Sequence, residues 1–255
     1  MSLFLIDHLY VLVIAVVFLW VILKSQPKVK HETFTTKEKI GMYWSNSLFL
    51  YLVAAIAVLI WWWPGRSLAD IGFQMPGENV LLYLGLTLAF GAWYVYDVMS
   101  KLVSPRKRQE AVEQWRRQTP FMPENRSEVS HSMQLAVSAG VSEEIVFRGF
   151  LITYFVVLLT GSLPLAMAEP LSSWQVWLAI VIPAIMFGLC HMYLGWAGVF
   201  KVMFLSLMFG AIFVASGSLL LVILAHIFVD AFALLISPWV MAQTARQPEL
   251  TELPV

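Results

Sequence analysis

The chain has 255 residues, of which 60% are hydrophobic and only 13% are charged. Soluble domains carry about 25% charged residues, so this composition indicates a polytopic membrane protein. The formal net charge is zero, which argues against a nucleic-acid partner because such proteins present a net basic face. The single cysteine, Cys190, excludes an intrachain disulfide framework and a cysteine-based structural metal site.

Seven apolar runs approach the roughly 20 residues that a helix needs to cross the hydrocarbon core. They lie at 3–23, 46–63, 79–99, 133–160, 174–191, 197–215 and 219–240. The sequence therefore predicts an all-α, polytopic transmembrane helix bundle of about seven spans. The first run lacks the basic flank and cleavage site of a signal peptide, so we interpret it as an uncleaved span. Trp61, Trp62 and Trp63 resemble an interfacial aromatic belt.

Basic residues predict how the chain is oriented in the membrane. The loops 24–45 and 100–132 are rich in Lys and Arg, whereas the loop 64–78 has only Arg66 and the loop 161–173 has none. By the positive-inside rule the two basic loops are cytoplasmic, so the N-terminus lies outside and the C-terminus lies in the cytoplasm. Within the second basic loop, the polar stretch 106–118 predicts a surface helix.

Three apolar segments contain ionisable residues, which are costly in hydrocarbon and therefore indicate a functional site. The segments are Glu143-Glu144-Ile-Val-Phe-Arg148, Phe187-Gly-Leu-Cys-His191 and His226-Ile-Phe-Val-Asp230. In the predicted topology all three lie at similar depth toward the cytoplasmic side, so we expect them to converge. Three acids, a base and two imidazoles in one place are typical of hydrolytic chemistry.

The spacing within each motif suggests separate roles. Glu144 and Arg148 are four residues apart in the acid-first order that favours a side-chain pair on a helix. Glu143 points about 100° away and is left as a candidate base for activating water. Asp230 lies one turn from His226 and could orient its imidazole. The alternatives are a charged helix end that contacts lipid headgroups and a hydrogen bond that only joins two helices.

These motifs, in this order on separate spans, resemble the signatures of the CPBP intramembrane protease family, which includes type II CAAX prenyl proteases and the bacteriocin-processing and Abi proteins. The resemblance covers about residues 130–240, which gives N-terminal spans and loops at 1–129, a CAAX-protease-like catalytic core at 130–240 and a cytoplasmic tail at 241–255.

The resemblance also implies residue roles. Glu143 and His191 would activate the attacking water, while His226 and Asp230 would stabilise the oxyanion. The side chains of Glu144, Arg148 and Phe187 would support the site. The prenyl proteases carry Asn at the position of Asp230, and an ionised Asp cannot donate a hydrogen bond. This departure loosens the assignment of a CAAX substrate.

A divalent metal such as zinc is compatible with the same residues, because Glu143, His191 and His226 form an acceptable nitrogen and oxygen ligand set. They also work as a metal-free, glutamate-dependent water activator, so both mechanisms stay open at this point. We predict an intramembrane endopeptidase of the bacterial cytoplasmic membrane, acting on a membrane-associated or lipid-modified protein or peptide from the cytoplasmic side. The alternative is a non-catalytic membrane scaffold or an immunity or regulatory protein.

Overall fold

A computed structural model describes residues 2–24, 33–77, 80–164, 167 and 169–246. Within these ranges the chain is helical and forms no β-strand. The main helices are α1 (Leu5–Lys24), α2 (Thr36–Trp62), α3 (Val80–Leu102), α4 (Pro105–Gln118), α5 (Arg126–Glu144), α6 (Thr153–Thr160), α7 (Trp174–Cys190), α8 (Gly195–Ser216) and α9 (Leu219–Ala245). Lys28 and Lys30 of the first basic loop, and residues 247–255 of the predicted tail, lie outside the described residues.

Each predicted apolar run coincides with helix, which confirms the all-helical membrane fold. By length and composition, four helical segments of the described chain can cross a bilayer. They are Thr36–Trp62, Val80–Leu102, Met192–Ser216 and Leu219–Ala245, and Leu5–Val17 and Trp174–Cys190 are shorter apolar helices. The count of seven spans therefore stays a prediction. The helix expected near 106–118 is confirmed as α4.

Local sequence signals fix several helix ends. Thr35 and Glu38 form a reciprocal capping box at the start of α2, and the Asn125 side chain accepts a hydrogen bond from a backbone N–H of the first turn of α5. Such caps satisfy N–H groups that have no partner within the helix. Gly161 and Gly217 end α6 and α8 with φ of 71° and 67°, a left-handed conformation that glycine adopts without steric cost.

A π-helix, Ile145–Ile152, joins α5 to α6. All three segments run on without a break, so residues 126–160 form one continuous helix. The π-helix begins directly after Glu143 and Glu144. Wide turns of this kind are rare and are frequently found at functional sites.

Close helix contacts bring the three motif-bearing segments together. Helix α5 packs against both α2 and α9, and α7 packs against α8. A Cβ atom at Gly140 would lie only 2.5 Å from Cγ1 of Ile227, and one at Gly188 would lie 2.1 Å from Cγ of Met203. These glycines therefore allow α5 to approach α9, and α7 to approach α8, as small residues commonly do in membrane bundles.

The predicted belt of three tryptophans is wrong at its first member. Trp62 and Trp63 are exposed, but Trp61 is fully buried. Its indole N–H donates to the backbone oxygen of Ser67, and its ring lies under the guanidinium of Arg66. An indole with its own partner and a buried face belongs to the core rather than to the headgroup layer.

A buried lysine ties the connection between α4 and α5 to α2. Lys39 is 2% exposed, and its Nζ donates to the backbone oxygen of Met122 at 2.9 Å. The same ammonium pairs with Glu124 at 2.7 Å and with Glu128 at 3.2 Å. On the other side of the connection, the Ser237 hydroxyl of α9 donates to the backbone oxygen of Pro123. The start of α5 is therefore fixed by both neighbouring helices.

Candidate active site

Glu143 and Glu144 occupy the end of α5 and face different surroundings. Successive residues of a helix point about 100° apart. The side chain of Glu144 is fully buried, whereas that of Glu143 is 20% exposed. Only Glu143 of the two acids is therefore accessible to a water molecule.

Arg148 binds Glu144 as its spacing predicts. Its Nη1 donates to Oε1 of Glu144 at 2.8 Å, and the guanidinium is almost fully buried. The planar cation lies over the rings of Phe187 and Phe209, 4.9 and 5.3 Å from their centroids. Its Nη2 donates to the hydroxyl of Ser206 at 3.0 Å. A buried charge is stabilised when it is paired and hydrogen-bonded in this way.

His226 of α9 lies among three acids. Its Nδ1 is 2.6 Å from Oε1 of Glu144, and since an ionised carboxylate only accepts, the imidazole donates. Its Nε2 is 3.7 Å from Oε2 of Glu143 and 3.6 Å from Oδ2 of Asp230. The sequence suggests that Asp230 orients this ring, but the short contact belongs to Glu144. The imidazole is therefore held on one edge and directed toward Glu143 and Asp230 with the other.

His191 lies at the end of α7, beside the motif on α9. Its Nδ1 donates to the backbone oxygen of Phe187 at 2.8 Å. The Phe187 ring contacts both imidazoles, with centroids 4.8 Å from His191 and 6.1 Å from His226. Among the described residues His191 makes no hydrogen bond or ion pair with a carboxylate. The fold thus brings the second motif next to the third through Phe187, with His191 outside the hydrogen-bonded cluster.

The proposed metal ligands do not converge in this geometry. Within the described ranges, no group of three His, Cys, Asp or Glu side chains is arranged to hold a metal ion. Nδ1 of His191 is bonded to a carbonyl and Nδ1 of His226 to Glu144, which leaves Nε2 of each imidazole for other partners, as in most metal-binding histidines.

Two site residues on α8 carry no sequence signal that we can identify. Ser206 and Phe209 stand in an apolar run, where a serine or a phenylalanine is unremarkable in a membrane helix. Their spacing of three places them on one face of α8. Both contact Arg148, and the Phe209 ring also lies 5.8 Å from that of His226.

The fold and this site define a helical membrane protein in which carboxylate, guanidinium and imidazole groups meet inside apolar helices. A model of the family described as Type II CAAX prenyl endopeptidase Rce1-like matches residues 126–232. This segment contains all three motifs, which confirms the resemblance predicted from them. Residues 126–232, less than half of the chain, are thus similar to this family of CAAX-protease-like membrane proteins. Searches of curated proteins and of solved structures found no match.

Proposed function

We propose that the chain is an intramembrane endopeptidase that hydrolyses a peptide bond of a membrane-associated or lipid-modified protein. The observation that carries the proposal is the placement of Glu143, a partly accessible carboxylate, 3.7 Å from an imidazole that is itself bonded to a second, buried carboxylate. A base next to an oriented imidazole is an arrangement suited to hydrolysis.

In the proposed reaction Glu143 takes a proton from a water molecule, and the oxygen attacks the carbonyl carbon of the scissile bond. The carbonyl oxygen then becomes an oxyanion, to which protonated Nε2 of His226 donates. The tetrahedral intermediate collapses as the C–N bond breaks, and Glu143 returns its proton to the leaving amine. His191 helps to position the water. Such donors act strongly because they are fixed in place before the charge develops.

The remaining residues stabilise the positive charge that His226 carries when both of its nitrogens are protonated. Glu144 accepts from Nδ1 and stabilises the imidazolium, as the carboxylate of a catalytic triad does. Arg148 donates to Oε1 of Glu144 and holds this carboxylate in place. Asp230, whose side chain is 34% exposed and 3.6 Å from Nε2, adds a second negative charge beside the same ring.

The family description names a prenyl endopeptidase, which supports a substrate held at the membrane by a lipid. The positive-inside pattern supports a site that opens to the cytoplasmic side of a multi-pass protein, and we propose the bacterial cytoplasmic membrane as its location. Because Asp230 replaces the Asn of the prenyl proteases, we propose the class of membrane-associated or lipid-modified proteins rather than a CAAX sequence.

The proposal is tested by replacing Glu143 or His191 with alanine in a deletion strain that expresses each variant. Terminal-peptide mass spectrometry of the membranes should show fragments that the parent produces and that both variants lack. Glu113→Ala, which removes an exposed acid of α4, is the control and should restore the fragments. Unchanged fragments in both variants would refute the catalytic role. Full complementation of the strain by a Glu143 variant without fragments would favour the scaffold function.

A further inference from the structure

Ser206 contributes to the site from a helix that carries none of the three motifs. Its side chain is buried, with the residue 3% exposed. Its hydroxyl accepts a hydrogen bond from Nη2 of Arg148 at 3.0 Å. A second acceptor for that nitrogen among the described residues is the backbone oxygen of Ser206, at 3.5 Å, which is too long for a strong bond.

The bond to Ser206 lies at the end of a continuous relay. Nη1 of Arg148 donates to Oε1 of Glu144 at 2.8 Å, and the same oxygen receives Nδ1 of His226 at 2.6 Å. A guanidinium is a rigid planar fork, so fixing one of its nitrogens sets the direction of the other. The hydroxyl of Ser206 therefore sets the direction from which Arg148 reaches Glu144.

The other contacts of this relay leave that direction undetermined. The guanidinium lies over the rings of Phe187 and Phe209, and these ring contacts contain no directional hydrogen bond that would fix the rotation of the cation. Glu144 is also held on one side only, because its buried Oε2 has no hydrogen-bond partner among the described residues. A rotation of Arg148 would therefore displace the oxygen that orients His226.

We infer that Ser206 is a positioning residue of the proposed active site, acting through Arg148 and Glu144 to hold the His226 imidazole. Its catalytic consequence rests on the proposed proteolytic function, whereas the structural relay does not. The inference adds α8 to the three helices that supply the motifs.

Nitrogen NMR of the histidines tests the relay without a substrate. The full-length protein, labelled with ¹⁵N-histidine and held in lipid nanodiscs, should give a hydrogen-bonded Nδ1–H resonance that is assigned to His226 by its absence from His226→Gln. Ser206→Ala should shift this resonance or abolish it. Ser206→Thr, which keeps a hydroxyl, should restore it.

Ser138→Ala is the matched control, because it also removes a buried serine hydroxyl, which is bonded to Ser47 at 2.8 Å and does not contact the relay. It should leave the His226 resonance unchanged. The inference is overturned if Ser206→Ala leaves the resonance in place, or if Ser138→Ala changes it equally.

Cleavage in membranes tests the consequence. Residues that orient a functional side chain through a hydrogen bond typically contribute about 10–100-fold to activity. Ser206→Ala should therefore lower the rate at which the Glu143-dependent fragments form by about that factor. Ser206→Thr should recover them. If the parent produces no such fragments while Ser206→Ala still abolishes the resonance, proteolysis fails and the positioning role stands. Normal cleavage by Ser206→Ala would overturn the catalytic consequence.

Discussion

One oxygen atom carries much of the organisation of this site. Oε1 of Glu144 receives both the guanidinium of Arg148 and the imidazole of His226. The two donors come from different helices, and each needs a fixed acceptor because all three groups are buried. Glu144 thus stabilises two buried cations. Among the described residues the contact of Glu143 with His226 is long, at 3.7 Å, so Glu143 is available to water.

Lys39 is a buried cation that stabilises the fold away from the site. Lys39→Met should lower the free energy of unfolding by about 3–5 kcal/mol at neutral pH, because it leaves the buried carboxylate of Glu128 without its cation. Lys37→Met, two residues away on the exposed side of the same turn, should change it by less than about 1 kcal/mol. Unfolding in mixed micelles measures both, and equal losses would show that Lys39 is not a buried partner.

The ion pair of Lys39 and Glu128 also predicts how the free energy of unfolding depends on pH. Burial raises the pKa of Glu128, but hydrogen bonds from Thr36, the backbone of Glu124 and Lys39 outweigh it and lower this pKa below 4.5. A carboxyl group whose pKa is lower in the folded state stabilises that state at pH values above its pKa in the unfolded chain. This contribution is lost as the pH falls through the pKa of the folded state. Between about pH 6 and pH 3 the parent should therefore lose more unfolding free energy than Lys39→Met. A parallel pH profile in the two proteins would contradict this.

At the scale of elements, the π-helix is held in register by a glycine. A Cβ atom at Gly149 would lie 2.9 Å from the backbone oxygen of Ile71 and 3.3 Å from Cδ1 of Leu219. Neither a rigid backbone oxygen nor the packed end of α9 can easily give way. The turn that carries Arg148 is therefore set by contact with the short helix Leu68–Ile71 and with α9.

Gly149→Ala should consequently lower the free energy of unfolding by about 1–3 kcal/mol, as overpacking does. Gly91→Ala is the control within α3, where a Cβ atom meets nothing within 4 Å. That variant should be neutral or more stable by about 0.5–1 kcal/mol, because alanine favours a helix. If the two variants change the free energy of unfolding in opposite directions in one assay, the packing argument is supported. An unchanged free energy of unfolding for Gly149→Ala would contradict it.

At the scale of the whole molecule, sequence reasoning succeeded where the signal is local or periodic. Apolar runs of sufficient length became helices, and the spacing of Glu144 and Arg148 predicted their ion pair. It failed to predict contacts between distant residues. The Glu144–His226 bond joins residues 82 positions apart, and Ser206 is an ordinary residue of an apolar helix until α8 packs beside Arg148. The π-helix was missed for the same reason, because tertiary contacts at Gly149 fix its register.

The orientation of the chain decides which compartment supplies the water and the substrate. The predicted cytoplasmic side contains α4, where Arg117 has an exposed side chain. The predicted outer side contains the loop after α2, where Met75 is 76% exposed. Single cysteines at these positions, in a Cys190→Ala background that removes the native thiol, report the two sides independently.

A membrane-impermeant maleimide applied to intact cells should label Met75→Cys and leave Arg117→Cys unlabelled. After permeabilisation both should react, and the Cys190→Ala parent should react in neither case. The asymmetry of Lys and Arg between the loops is the physical reason, since cytoplasmic loops retain positive charge. The reverse labelling would place α4 and the proposed opening of the site outside the cell, and a substrate modified in the cytoplasm could then not reach Glu143 from that side.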